Sequence, residues 1–93
     1  MSINLQERIG DSLRKAISVV LEIAPESADP VIRRSQNPAL ADFQANCAMA
    51  LGKRFGQDPR ELAEKIVAAV DLGSIAEVPE VAGPGFINIR LRE

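Results

Sequence analysis

Hydrophobic residues recur through the first quarter of the chain at helical spacing. Ile3, Leu5, Ile9, Leu13, Ile17, Val20 and Leu21 mostly stand three or four apart, while Gln6, Glu7, Arg8, Asp11, Arg14 and Lys15 fill the positions between them. This pattern predicts an amphipathic helix over residues 3–23 with one buried stripe. Ser2 or Asn4 can cap it, and Asn4 with Glu7 has capping-box spacing. Gly10 inside the helix costs about 1 kcal/mol relative to alanine unless close packing offsets it. The run Ala24-Pro25-Glu26-Ser27 stops the helix, because proline disfavours helical torsions in the residue before it.

The pattern then shortens. Val31-Ile32-Arg33-Arg34-Ser35 reads as a brief strand after Pro30, and Asn37-Pro38-Ala39 as a turn. Asp42-Phe43-Gln44-Ala45-Asn46 leads into a helical stretch closed by Phe55-Gly56, where Gly56 suits the left-handed position after a helix. The strongest local signal is Asp58-Pro59-Arg60-Glu61: Asp58 caps, Pro59 takes the first helical position and Glu61 the third. Leu62, Ile66 and Val70 mark that helix's buried face, with Ala63 and Val67 beside them, and Asp71-Leu72-Gly73 ends it.

The last twenty residues change period. Val78 and Val81 flank Pro79, which points to an edge strand or a bulge. Ala82-Gly83-Pro84-Gly85 is a turn that needs glycine torsions. Phe86-Ile87-Asn88-Ile89-Arg90-Leu91-Arg92 alternates as a half-buried strand does. The order is helix–strand–strand–helix–helix–strand–strand. With adjacent strands pairing antiparallel, the expected fold class is α+β: a two-layer sandwich, a small antiparallel sheet with helices on one face.

Composition narrows the function classes. Ninety-three residues, 46% hydrophobic and 26% charged, make one domain with a small core. Phe43, Phe55 and Phe86 are the whole aromatic complement, so the core is aliphatic and an exposed aromatic would stand out. A net charge of −2 gives no general attraction to phosphates, which supplies most of the affinity of free-standing nucleic-acid binders. With no histidine and one cysteine, zinc sites and Ser-His or Cys-His nucleophile pairs are excluded, and no carboxylates look paired for acid–base work. No catalytic or metal-ligating residues are expected. Cys47 reads as a buried inert thiol in a reducing compartment. No signal peptide is visible, and no apolar run approaches the roughly 20 residues a membrane span needs. The expected setting is cytoplasmic, without membrane contact.

Alternation places Ile87, Ile89 and Leu91 on the core face of the last strand, and Phe86, Asn88, Arg90 and Arg92 on the other. An exposed ring beside an amide and two guanidinium groups suits single-stranded RNA: the ring stacks on a base, the amide reads a base edge, the arginines meet phosphates. The bland alternative, a solvated face with Phe86 covering the sheet edge, is the more common use of such a pattern. Lys53-Arg54 and Arg33-Arg34 read as solvated charges.

Three segments together carry a resemblance. Asp42-Phe43-Gln44-Ala45-Asn46, Pro59-Arg60-Glu61-Leu62-Ala63-Glu64 and Val81-Ala82-Gly83-Pro84-Gly85-Phe86-Ile87-Asn88 resemble the N-terminal additional domain of arginyl-tRNA synthetases, in order and spacing, over residues 1–92. Ala41 and Phe43 depart from that family's common glycine and tyrosine. The resemblance implies a tRNA-binding accessory module that precedes a class I catalytic domain and contacts the D-loop at the tRNA elbow. Its base-contacting aromatic and amide match Phe86 and Asn88; Arg90 and Arg92 are added by geometry alone. The signatures His-Ile-Gly-His and Lys-Met-Ser-Lys-Ser are missing from these residues. The chain is therefore expected to be one domain, residues 1–93, of an arginine–tRNA ligase whose catalytic and anticodon-binding domains lie elsewhere. The sites for ATP, Mg²⁺ and arginine are expected there, so that the parent is the enzyme and its catalytic domain a partner of this chain. The competing expectation is a free-standing protein-interaction domain that uses the same sheet face.

Overall fold

In the computed structural model, which describes residues 5–36, 39, 41–73 and 75–92, the first amphipathic stretch forms α1, Leu5–Leu21. Its buried stripe is Ile9, Gly10, Leu13, Ala16 and Ile17, with Val20 and Leu21 packed at the margin. Leu5 departs from the expected stripe and is exposed, because it sits a full turn before Ile9, where the helix first meets the core. Ile3 and the expected caps Ser2 and Asn4 lie outside the described residues, as do Asn37 and Pro38 of the expected turn. After α1 the chain makes one 3-10 turn at Pro25–Ser27, and Arg14 Nε donates to Ala28 O across it at 3.2 Å.

The remaining elements are β1 Ile32–Arg34, β2 Phe43–Ala45, α2 Cys47–Phe55, α3 Pro59–Ala69, β3 Glu80–Ala82 and β4 Phe86–Ile89. The caps follow their residues. Gly56 takes φ 67° after α2 and its N–H donates to Gly52 O. The Asp58 carboxylate accepts the Glu61 N–H at 3.1 Å, with Pro59 in the first turn of α3; such a cap contributes about 1 kcal/mol.

The four strands form one antiparallel sheet in the order β1-β2-β4-β3. The chain neighbours pair as expected, and the centre is made by β2 and β4, which the sequence separates by α2, α3 and β3. In that pair Phe43 faces Ile89, Gln44 faces Asn88 and Ala45 faces Ile87. Phe43, Ala45, Ile87 and Ile89 turn inward onto Leu13, Ile17, Leu62 and Ile66 of the helices, giving two layers. The alternation reaches Arg92 in sequence, but β4 ends at Ile89. Beyond it, on one side, Glu77 N–H donates to Arg90 O at 2.9 Å and Arg92 N–H to Ile75 O at 3.0 Å. On the other side its neighbour β2 begins at Phe43, so the ladder runs out there. Asp42 takes over: its carboxylate accepts the Leu91 N–H at 2.8 Å, while Leu91 makes an isolated bridge to Ala76. Val78, expected within the edge strand, is exposed and precedes β3.

Two outcomes follow from the packing. A methyl added at Gly10 would meet Ile32 Cγ2 at 3.7 Å and Pro30 Cγ at 3.8 Å, ordinary van der Waals distances, so close packing does not demand the glycine. Gly10→Ala should therefore stabilise the domain by about 0.5–1 kcal/mol and raise its thermal midpoint by roughly 2–8 °C; an unchanged or lower midpoint in calorimetry contradicts this. Cys47 is fully buried, and burial, aided by Asp29, pushes its thiol from 9.0 up to about 11. The folded state thus favours the protonated thiol. That stability is fully present below pH 9 and is lost as pH rises through about 11. Urea midpoints should fall across this window in the parent and fall less in Cys47→Ala.

Candidate nucleic-acid interface

The outward face of the sheet is built by the same period-two geometry that builds the core. Between the inward residues of β2 and β4, Gln44 and Asn88 project to the opposite side, each partly buried. They lie directly across from one another, and Gln44 Nε2 donates to Asn88 Oδ1 at 3.0 Å. That bond uses one acceptor site of the Asn88 amide and leaves its NH₂ donors directed away from Gln44. Pairing extends the row in both directions: Arg33 of β1 stands opposite Gln44, and Glu80 of β3 opposite Asn88. One polar row therefore crosses the sheet from a guanidinium to a carboxylate.

Phe86 begins β4, opposite Ala82, and is half-buried. It lies on the Asn88 side of the strand, apart from the core cluster. Its position depends on the turn before it. Gly83 has φ 54° and Gly85 has φ 142°, backbone conformations that side chains with a Cβ rarely adopt. A Cβ at Gly85 would sit 3.0 Å from Pro59 O, so the turn packs directly on the first residue of α3. Arg60 on the same helical turn donates from Nη1 to Gly83 O at 2.7 Å. A Cβ at Gly83 would lie 3.4 Å from the Phe86 ring; its absence leaves the ring resting over the turn. The Gly-Pro-Gly-Phe run is thus a mount that holds one aromatic ring at the sheet surface.

Arg90 and Arg92 lie past the end of β4 and are exposed. Arg90 Nη2 donates to Ala39 O at 2.9 Å, and its Nε is 3.9 Å from the Glu77 carboxylate. Arg92 Nε donates to Ala76 O at 3.1 Å. Both hold the flanking loops to residues 90–92. Phe86 and Asn88 are adjacent on one strand face; the two arginines continue the line beyond it. Gln44, which has no role in the reading of the sequence, and Arg33, read there as a solvated charge, share the row with Asn88. Phe43-Gln44-Ala45 alternates and Ile32-Arg33-Arg34 does not, and register across strands is not written in either segment alone.

Among the described residues, no group of three His, Cys, Asp or Glu side chains is placed to hold a metal ion, and no helix is long and apolar enough to cross a membrane. Asn46 Oδ1, beside the polar row, is buried with no hydrogen-bond partner among the described residues.

Comparison with known proteins gives the arrangement a family. The arginyl tRNA synthetase N terminal domain family matches residues 4–91. The chain is similar to arginine–tRNA ligase of Mannheimia succiniciproducens, 42% identical over 90 residues, covering 97% of this chain and 15% of that protein. It is similar also to the Haemophilus influenzae ligase, 44% identical over 88 residues, 95% of this chain and 15% of the relative. The chain thus spans about 15% of the length of these curated relatives. In three dimensions it superposes on arginyl-tRNA synthetase from Plasmodium falciparum with a TM-score of 0.82 at 19% identity, over 98% of this chain and 17% of that one. The Thermus thermophilus arginyl-tRNA synthetase aligns over 90% of this chain and 14% of its own, with a TM-score of 0.62 at 25% identity. With the expected three helices and four-stranded antiparallel sheet in place, and the family matched almost end to end, this chain belongs to the arginyl-tRNA synthetase N-terminal domain family.

Proposed function

We propose that the outer face of β4 is a tRNA contact, and that the domain helps an arginine–tRNA ligase grip the D-loop at the elbow of its tRNA. The observation that carries this reading is the pairing of a half-buried phenylalanine with an amide two residues on, both on the sheet face that the helices leave open. A base of a single-stranded loop stacks on the Phe86 ring, and the Asn88 amide meets its edge through donors that the Gln44 bond leaves free. Arg90 and Arg92, exposed at the end of the same line, bring positive charge to phosphates further along the strand. The charge balance fits a supplementary role: at −2 the domain brings little non-specific attraction, so the rest of the ligase must hold the RNA while these contacts form.

Arginine, ATP and Mg²⁺ belong, on this proposal, to the catalytic domain of the longer protein, and that domain is this one's covalent partner. The proposed setting is the cytoplasm, where the buried Cys47 thiol stays reduced. The competing protein-interaction reading is less well supported. The centre of a protein interface is typically depleted of charge and rich in apolar surface, whereas the middle of this face is an amide pair flanked by Arg33 and Glu80.

In the full-length ligase, Phe86→Ala should lower kcat/KM for tRNA by roughly ten- to a hundredfold, because stacking one base on an aromatic contributes about 1–3 kcal/mol. KM for arginine and ATP should stay nearly unchanged. Asn88→Ala should cost less affinity but blunt discrimination against a tRNA with the contacted D-loop base substituted. Charging kinetics with both tRNAs measure each effect. Unaltered tRNA kinetics in both variants, or equal losses for arginine and tRNA, would falsify the assignment.

A further inference from the structure

Beside Asn88 the sheet surface dips into a recess of about 290 Å³ whose lining includes Arg33, Arg34, Gln44, Asn46 and Asn88. Both arginines are exposed, and neither is ion-paired with another described residue. They contrast with Arg14, Arg60 and Arg90, each of which meets a carboxylate. Arg33 lies in the polar row itself, two strands from Asn88 through Gln44. At roughly 4.8 Å per strand that is about 10 Å, within the combined reach of an arginine side chain and one nucleotide. The other end of the row is Glu80. The row is therefore electrically polar: the Arg33 guanidinium ends its β1 side and a carboxylate closes its β3 side, while Arg34, opposite Phe43 on the other face, lines the recess from the β1 edge.

We infer that this recess is a phosphodiester subsite, in which Arg33 and Arg34 take the RNA backbone beside the nucleotide whose base lies on Phe86 and Asn88. The inference rests on the proposed base contact, and it adds the direction in which the strand crosses the sheet. A polyanion laid over the row is drawn toward β1 and repelled from Glu80, so the backbone runs over the β1 side while the base reaches inward to β4. Guanidinium groups suit the task because their planar fork gives two parallel N–H bonds to phosphate oxygens. The Gln44–Asn88 bond then forms the boundary between backbone and base contacts.

The test is charging kinetics of the full-length ligase between about 50 and 200 mM KCl, comparing the parent with Arg33→Gln/Arg34→Gln, Arg33→Lys/Arg34→Lys and Phe86→Ala. Each phosphate contact to a single strand contributes about −0.7 to the slope of log kcat/KM for tRNA against log salt. The double glutamine variant should therefore flatten the slope by about 1.4. It should lose equally with normal and base-substituted D-loop tRNA, and keep its arginine and ATP kinetics. The lysine variant, retaining charge but not the fork, should keep most of the slope. A parental slope in the glutamine variant while Phe86→Ala is impaired overturns the subsite alone. A slope that flattens while Phe86→Ala is silent overturns the base contact it was built on. Loss of the slope in the lysine variant as well overturns the electrostatic account.

Discussion

Everything on the candidate face depends on the register of β2 against β4. Phe43 opposite Ile89 and Ala45 opposite Ile87 bury four side chains beneath the helices, and the same pairing puts Gln44 opposite Asn88 on the far side. Because side chains alternate strictly, a slip of one residue in either strand would exchange the faces. It would bury two amides and a phenyl ring's neighbourhood while exposing the aliphatic core. The register is held from three directions. Burial of Ile87 and Ile89 fixes the parity, the Asp42 backbone N–H and carboxylate bind Ile89 O and Leu91 N–H at the strand end, and the turn before Phe86 is seated on Pro59. The site is thus a by-product of core packing, made specific by what occupies the outward positions.

Much of the fold was legible because its signals are local. The cap at Asp58, the left-handed Gly56 and the alternation in Phe86–Ile89 each depend on a few neighbouring residues, and each is found where the spacing put it. Leu5 was not legible, since periodicity says which side a residue faces and not how far the core extends along the helix. The extent of the last strand was misjudged for a similar reason: alternation continues to Arg92, but β2 stops at Phe43, and beyond Ile89 only a single bridge from Leu91 to Ala76 remains. In the site, Phe86 and Asn88 could be paired from one strand's sequence. Gln44 and Arg33 could not, because their relation to Asn88 is a matter of register between segments that the chain separates by 44 residues in one case.

The acidic balance of the chain, which argues against a free-standing RNA binder, is compatible with the geometry once the charges are placed. The arginines with a carboxylate partner serve the fold or its loops, while the sheet face gathers a ring, two amides and the Arg33 guanidinium, which pairs with no carboxylate among the described residues. A surface of that kind adds selectivity at a contact already brought close by a larger body, which is what a module spanning about 15% of its relatives' length would be asked to do.

The central claim is that the Phe86 face of the sheet lies against the D-loop, and it is tested most directly by proximity. A photo-crosslinking phenylalanine analogue placed at residue 86 of the full-length ligase, with the same analogue at exposed Val19 on α1 as a control, should be irradiated in complex with tRNA. Reverse-transcription mapping should then find adducts from residue 86 concentrated in D-loop nucleotides and few from residue 19. Adducts from residue 86 in the acceptor or anticodon arm instead, or equal D-loop labelling from both positions, would contradict the account.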